Sequence, residues 1–146
     1  MFRDERHFHC SEQVLIKINA ENLIPNFIKE HLKIASGFGG GVSDTGYICG
    51  AIIGGVIALG IKYGTDGTED LRVFSEKREK LERMVQRLVK SFESKFGAVN
   101  CQGLLGFRLC AEEGKRKYRE LKAAGKLRCH DYIDFCSKFT CRLLEE

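Results

Sequence analysis

Proline is nearly absent from this chain, and so are the short motifs that usually announce a chemistry. Pro25 is the one proline in 146 residues, so long helices are allowed almost everywhere. No C-x-x-C occurs, which excludes a thioredoxin-type motif and a ribbon-type zinc knuckle. No C-x-x-C-H occurs either, so no covalent haem is expected. The glycines fit neither G-x-G-x-x-G nor G-x-x-x-x-G-K-S/T, and no strand precedes them, which argues against nucleotide binding. Net charge is only +4, with acidic and basic residues mixed along most of the chain. No nucleic-acid partner is expected, because that normally requires a concentrated basic face. The start, Met-Phe-Arg-Asp-Glu-Arg-His-Phe-His, lacks the apolar core of an export signal, from which a cytoplasmic location is expected.

Glycine and cysteine are plentiful instead, at sixteen and seven. Glycine concentrates in residues 37–64, where a loop at 38–41 runs into Ser43-Asp44-Thr45, a helix N-cap pattern. Residues 45–61 carry no charged side chain. Cys49 is expected one turn into the helix they form, followed by Gly50, Gly54, Gly55 and Gly60. Each glycine in a helix interior costs about 1 kcal/mol against alanine. Accepting that cost repeatedly implies close approach of another backbone or a ligand. The run is at the short edge of a bilayer span, which needs about 17–25 residues, and Gly50-x-x-x-Gly54 would suit a membrane helix pair. It lacks flanking aromatic and basic anchors. A central helix buried on all sides is the better reading, without a membrane span.

At this length a single domain, residues 1–146, is expected. Residues 8–24 read as an amphipathic helix with Cys10, Val14 and Ile18 on one face, ended or bent by Asn22 and Pro25. Residues 27–35 form a second, short helix. Residues 69–96 show the clearest pattern: Leu71, Phe74, Arg78, Leu81, Val85, Leu88 and Phe92 recur at alternating three–four spacing. Packing against the glycine helix explains that stripe better than a homodimeric coiled coil, which stays as the alternative. Asn100 caps the next helix and puts Cys101 at its first position. Residues 112–128 are strongly charged and read as a solvated surface helix, and residues 129–144 as the last. The fold class is therefore all-α, a single bundle of five to seven helices around a buried, glycine-rich central helix.

Cys10, Cys49, Cys101 and Cys129 each fall at or near the start of a separate helix. Helix N-termini carry partial positive charge and unsatisfied N–H donors, which favour the thiolate, the form that attacks disulfides and binds metals. Four such starts could converge at one end of a bundle without any local spacing motif. Cys110 and Cys136 read as core residues or as neighbours behind the site, Cys141 as peripheral, and His130 as adjacent to Cys129.

These residues carry a family resemblance over nearly the whole chain. His9-Cys10-Ser11-Glu12-Gln13-Val14-Leu15 resembles an N-C-A-x-x-V-L opening, with His and Ser replacing Asn and Ala. Cys49-Gly50-Ala51-Ile52-Ile53-Gly54, with its glycine-rich lead-in, resembles a C-G-A-x-x-G segment. Asn100-Cys101 with Leu104-Leu105-Gly106 resembles the third block; Glu113-Gly114 and Cys129-x-x-Tyr132-Ile133 resemble the fourth. Cys136 is the alternative for the last cysteine. The sequence thus resembles the C-GCAxxG-C-C family of redox-active proteins. The resemblance implies an all-helical redox-type or metal-binding domain with four characteristic cysteines.

Three functions follow as expectations. Cys10, Cys49, Cys101 and Cys129 could bind an iron–sulfur cluster or a single iron or zinc ion, for electron transfer or redox sensing with an unnamed redox partner. In that reading Gly50 and Gly54 let the backbone approach the site, with His130 and Cys136 beside it. Alternatively, two of these cysteines cycle between dithiol and disulfide, with Cys49 as attacking thiolate, in an oxidoreductase or a redox carrier. The third reading is a non-catalytic helical interaction domain with buried cysteines.

Overall fold

The computed structural model describes residues 7–146. Residues 1–6, on which most of the export-signal reading rests, lie outside the described residues. The helical segments run α1 (Cys10–Ala20), α2 (Glu30–Ala35), α3 (Gly39–Val42), α4 (Gly50–Tyr63), α5 (Leu71–Phe96), α6 (Cys101–Leu105), α7 (Glu112–Ala123) and α8 (Cys129–Glu145). No strand occurs among the described residues; a single antiparallel bridge joins Ile48 to Asn100. The protein is an all-α bundle, and among the described residues no helix is long and apolar enough to cross a membrane.

α4 is the axis, with α1, α5 and α8 packed around it and α1 also against α8. Its glycines explain how. A Cβ on Gly54 would meet the Ser11 carbonyl oxygen at 2.6 Å and the Val14 Cβ at 2.7 Å; one on Gly55 would meet Thr140 Oγ1 at 2.6 Å and a Leu88 methyl at 2.8 Å. Gly54 therefore admits α1, and Gly55 admits α8 and α5 on other sides of the same helix. What comes close is helix, and the glycine penalty is offset by dispersion contacts that a wider spacing would forfeit. The enclosure is not complete: Ile53, Val56 and Ile57 remain partly exposed.

The core closes with Val14, Leu15 and Ile18 of α1, Ile52 and Leu59 of α4, Leu88 and Phe92 of α5, and Ile133 and Leu143 of α8. Phe92, Phe96, Tyr132 and Phe135 form an aromatic cluster between α5 and α8, with centroids 4.8–6.0 Å apart. α5 begins at Asp70, whose carboxylate accepts from the Val73 N–H at 2.9 Å, and ends at left-handed Gly97. Its packing strengthens along its length: Leu71 is 79% exposed, Leu81 packs against the core partly buried, and Met84, Leu88 and Phe92 are buried. α1 stops one turn early because Asn22 adopts φ 58°.

Candidate functional site

The site begins with an unusual piece of backbone. Gly40, Gly41, Val42, Ser43 and Asp44 all have positive φ, between 50° and 71°, so the short α3 is a left-handed turn. Three of the five are not glycine, and each such residue costs roughly 1–2 kcal/mol. Local bonds offset the cost. Ser43 Oγ donates to the Gly37 carbonyl at 2.9 Å, Thr45 Oγ1 to the Gly41 carbonyl at 2.8 Å, and the Tyr47 N–H to the same carbonyl at 2.9 Å. Ser43-Asp44-Thr45 is thus part of this reversal and caps no α-helix. The cap of α4 is Cys49 itself, so this cysteine stands at the helix mouth, one turn earlier than the sequence implied.

The reversal delivers residues 46–49 against residues 99–102. The Cys49 N–H donates to the Val99 carbonyl at 2.8 Å, the Cys101 N–H to the Tyr47 carbonyl at 2.7 Å, and the Gln102 N–H to the Gly46 carbonyl at 3.1 Å. Asn100 caps α6 as expected, accepting from the Gly103 N–H at 3.0 Å. Gly41 is required here twice, by its φ of 71° and because a Cβ would meet the Cys101 Cβ at 2.8 Å. Gly50 plays the matching role towards α1: a Cβ would meet the Ser11 N at 3.3 Å and the Cys10 Cβ at 3.4 Å. Of the two glycines expected beside the site, Gly50 therefore touches it, whereas Gly54 serves the α1 interface.

Cys10, Cys101 and Cys129 are the first residues of α1, α6 and α8. With Cys49 they are close enough to perturb one another's ionisation. The Cys10 thiol and Cys129 share a hydrogen bond, which holds the proton on Cys10 and lowers Cys129 below an ordinary thiol; burial and the other three cysteines push Cys10 up further. The more buried partner keeps the proton because its charged form loses more solvation. Burial pushes Cys49 up to about 11, although the amides of Ala51 and Ile52 at the start of α4 favour its thiolate. Burial, followed by the charges of Cys49, Cys129 and Asp44, pushes Cys101 up to about 12. Cys136 is fully buried and is raised by burial and by Cys49, so it lies behind that residue. Cys141 is raised by burial and then by Glu21 and Glu145, and by none of the four. Cys110, expected in the core or behind the site, is exposed in the turn before α7, because the apolar contacts there are made by Leu109. All seven are free thiols.

Cys10, Cys101 and Cys129 line a cleft of about 930 Å³, with Asp44, Tyr118 and the exposed His130 also on its walls. Cys49 is not among its lining residues and is only 4% exposed. Tyr118 is raised by burial and by Cys129, Cys10 and Cys101, which places its hydroxyl near the thiols. Sequence reasoning missed this tyrosine, and it read the cations beside it as a solvated surface. The available signal was the i, i+4, i+7 spacing of Lys115, Arg119 and Lys122. Among the described residues, no group of three or more His, Cys, Asp or Glu side chains is arranged to hold a metal ion as it stands.

A family profile described as "Putative redox-active protein (C_GCAxxG_C_C)" matches residues 8–143. The chain belongs to this family. The C_GCAxxG_C_C match includes the four cysteines at helix starts and the glycine-rich α4, and equally Cys110, Cys136 and Cys141. Geometry, and not the match, is therefore what sets Cys10, Cys49, Cys101 and Cys129 apart. No curated protein and no solved structure matches the chain.

Proposed function

We propose that this redox-active protein is an electron carrier or redox sensor in which Cys10, Cys49, Cys101 and Cys129 hold a [2Fe–2S] cluster. The observation that carries the reading is the convergence of four helix-start thiols in which Cys10, Cys49 and Cys101 are raised by burial and by neighbouring cysteines. Desolvated thiols that oppose each other's ionisation are a poor place for free thiolates and a good one for thiolates neutralised by a positively charged core. The donor set is all sulfur, which suits iron–sulfur chemistry. A lone zinc or iron ion needs its donors gathered around one point; a two-iron cluster takes them as two pairs. Cys10 pairs with Cys129 by hydrogen bond, and Cys49 lies diagonally across the antiparallel Ile48–Asn100 bridge from Cys101, whose thiol it raises. The α4 amides at Cys49 would hydrogen-bond sulfur, as iron–sulfur sites use backbone donors to tune potential.

A second reading, metal-free thiol–disulfide exchange, is favoured by one specific observation: the lowered Cys129 beside the proton-holding Cys10. In that reading Cys129, at the cleft, takes the attacking role expected of the buried Cys49, and Cys10 resolves. Anaerobic purification followed by iron and sulfide analysis and a visible spectrum decides between them. The cluster reading expects a coloured protein with iron and sulfide in equal amounts. Cys49→Ser and Cys129→Ser lose both, while Cys110→Ser and Cys141→Ser keep them. A colourless, iron-free protein with a reversible Cys10–Cys129 disulfide would overturn it in favour of the second reading.

A further inference from the structure

The charged residues described around the cleft over the cysteines are mostly cationic. Glu113 lies 3.8 Å from Arg116 and 3.6 Å from Lys117, which accounts for two of the cations of α7. Lys115, Arg119 and Lys122 face the cleft instead, and none has an ion-pair partner among the described residues. Lys17 of α1 lines it too, its ammonium 3.8 Å from Asp134. Asp44 is the one carboxylate residue among the described side chains that line it. α1 and α8 both begin at this cleft, with Cys10 and Cys129, and their N-terminal ends add partial positive charge. Between the cations, beside Gln13, Tyr118 and the histidines, the lining carries an apolar set: Ile16, Leu105, Leu109, Leu127 and Ile133. A volume of about 930 Å³ is in the range of small-molecule sites, which run about 300–1,000 Å³.

Apolar walls with an unpaired cationic edge complement a molecule that is itself divided that way. We propose that the cleft binds a small organic anion, an apolar or aromatic body bearing a carboxylate, sulfonate or phosphate, seated over Cys10, Cys101 and Cys129. α7 supplies the anion contact and the leucines hold the body. That the ligand exchanges electrons with the thiols rests on the function proposed above; that it binds does not.

The test is calorimetric titration of the anaerobically purified full chain with anilinonaphthalene sulfonate and with its uncharged parent, anilinonaphthalene. The sulfonate binds at one site per chain, and the parent binds at least about tenfold more weakly, the minimum expected of a desolvated charge-assisted contact. Replacing Lys115, Arg119 and Lys122 together by Gln removes that preference. Replacing Arg72, Arg83 and Lys90 by Gln takes the same charge from α5 and leaves it intact. Equal binding of the two probes, equal loss in both triple variants, or no one-to-one binding overturns the proposal. All six side chains are exposed, so both variants are expected to keep the parent's circular dichroism. An iron-free preparation would count against the cluster while leaving this comparison unaffected.

Discussion

Thr140 Oγ1 is buried without a hydrogen-bond partner among the described residues, against Gly55 of α4. An unsatisfied buried hydroxyl costs about 1–3 kcal/mol, whereas an apolar group of the same shape costs nothing there. Thr140→Val should therefore raise stability by about 1 kcal/mol, read as a higher urea midpoint with unchanged m-value. The cysteines show the same dependence on surroundings. Cys129 and Cys49 both begin long helices, yet one is lowered and the other raised to about 11. Sequence pattern made the helix starts at Cys101 and Cys129 legible and put Cys49 within a turn of one, since an Asn cap or an onset of apolar periodicity is a local signal. Which thiol keeps its proton was not legible, because burial and the hydrogen bond between Cys10 and Cys129 arise between residues far apart in the chain.

At the scale of elements, α4 is defined by what its glycines admit. Gly54→Ala drives a methyl into the Ser11 carbonyl and Val14, and overpacking of this kind costs about 1–3 kcal/mol. Gly60 has nothing within 4 Å of a built Cβ, so Gly60→Ala should stabilise by up to about 1 kcal/mol through helix propensity alone. Opposite signs in parallel urea melts are the expected result, and equal signs would mean that α1 does not pack as described. The sequence marked both glycines alike; only their neighbours separate them. The start of α4 was misplaced for a related reason. An uncharged, apolar run reads as helix throughout, but residues 45–48 are held by backbone bonds back to the left-handed turn and across to residues 99–102. α7 shows the reverse, a helix whose cationic face was visible in the spacing but acquired meaning only from the cleft beside it.

For the molecule as a whole, the gathered thiols make stability depend on pH when no metal is bound. Cys49 and Cys101 have folded pKa values above that of a free thiol, so above about pH 9 the unfolded chain has released protons that the folded chain still holds. Stability is then complete below about pH 9 and falls as pH rises towards 11–12. Cys129 has the opposite sign: its lowered pKa contributes fully above the unfolded value, so it does not oppose the alkaline loss. Urea melts of the metal-free protein should show this decline, and Cys49→Ala should make it shallower. A flat profile above pH 9 would mean that these thiols are not buried together.

The sequence by itself determined that the chain is helical, where most helices begin and end, and which cysteines sit at their starts. It could do so because caps, periodicity and the rarity of proline act over a few residues. The tertiary structure alone decided that α1 and not a ligand fills the space beside Gly54, that Cys49 caps α4, that Cys110 faces solvent, and that four distant thiols meet under a cationic cleft. Those outcomes depend on contacts between segments far apart in the chain, α1 with α8 among them, set by how closely backbones can approach, and no local pattern encodes that distance.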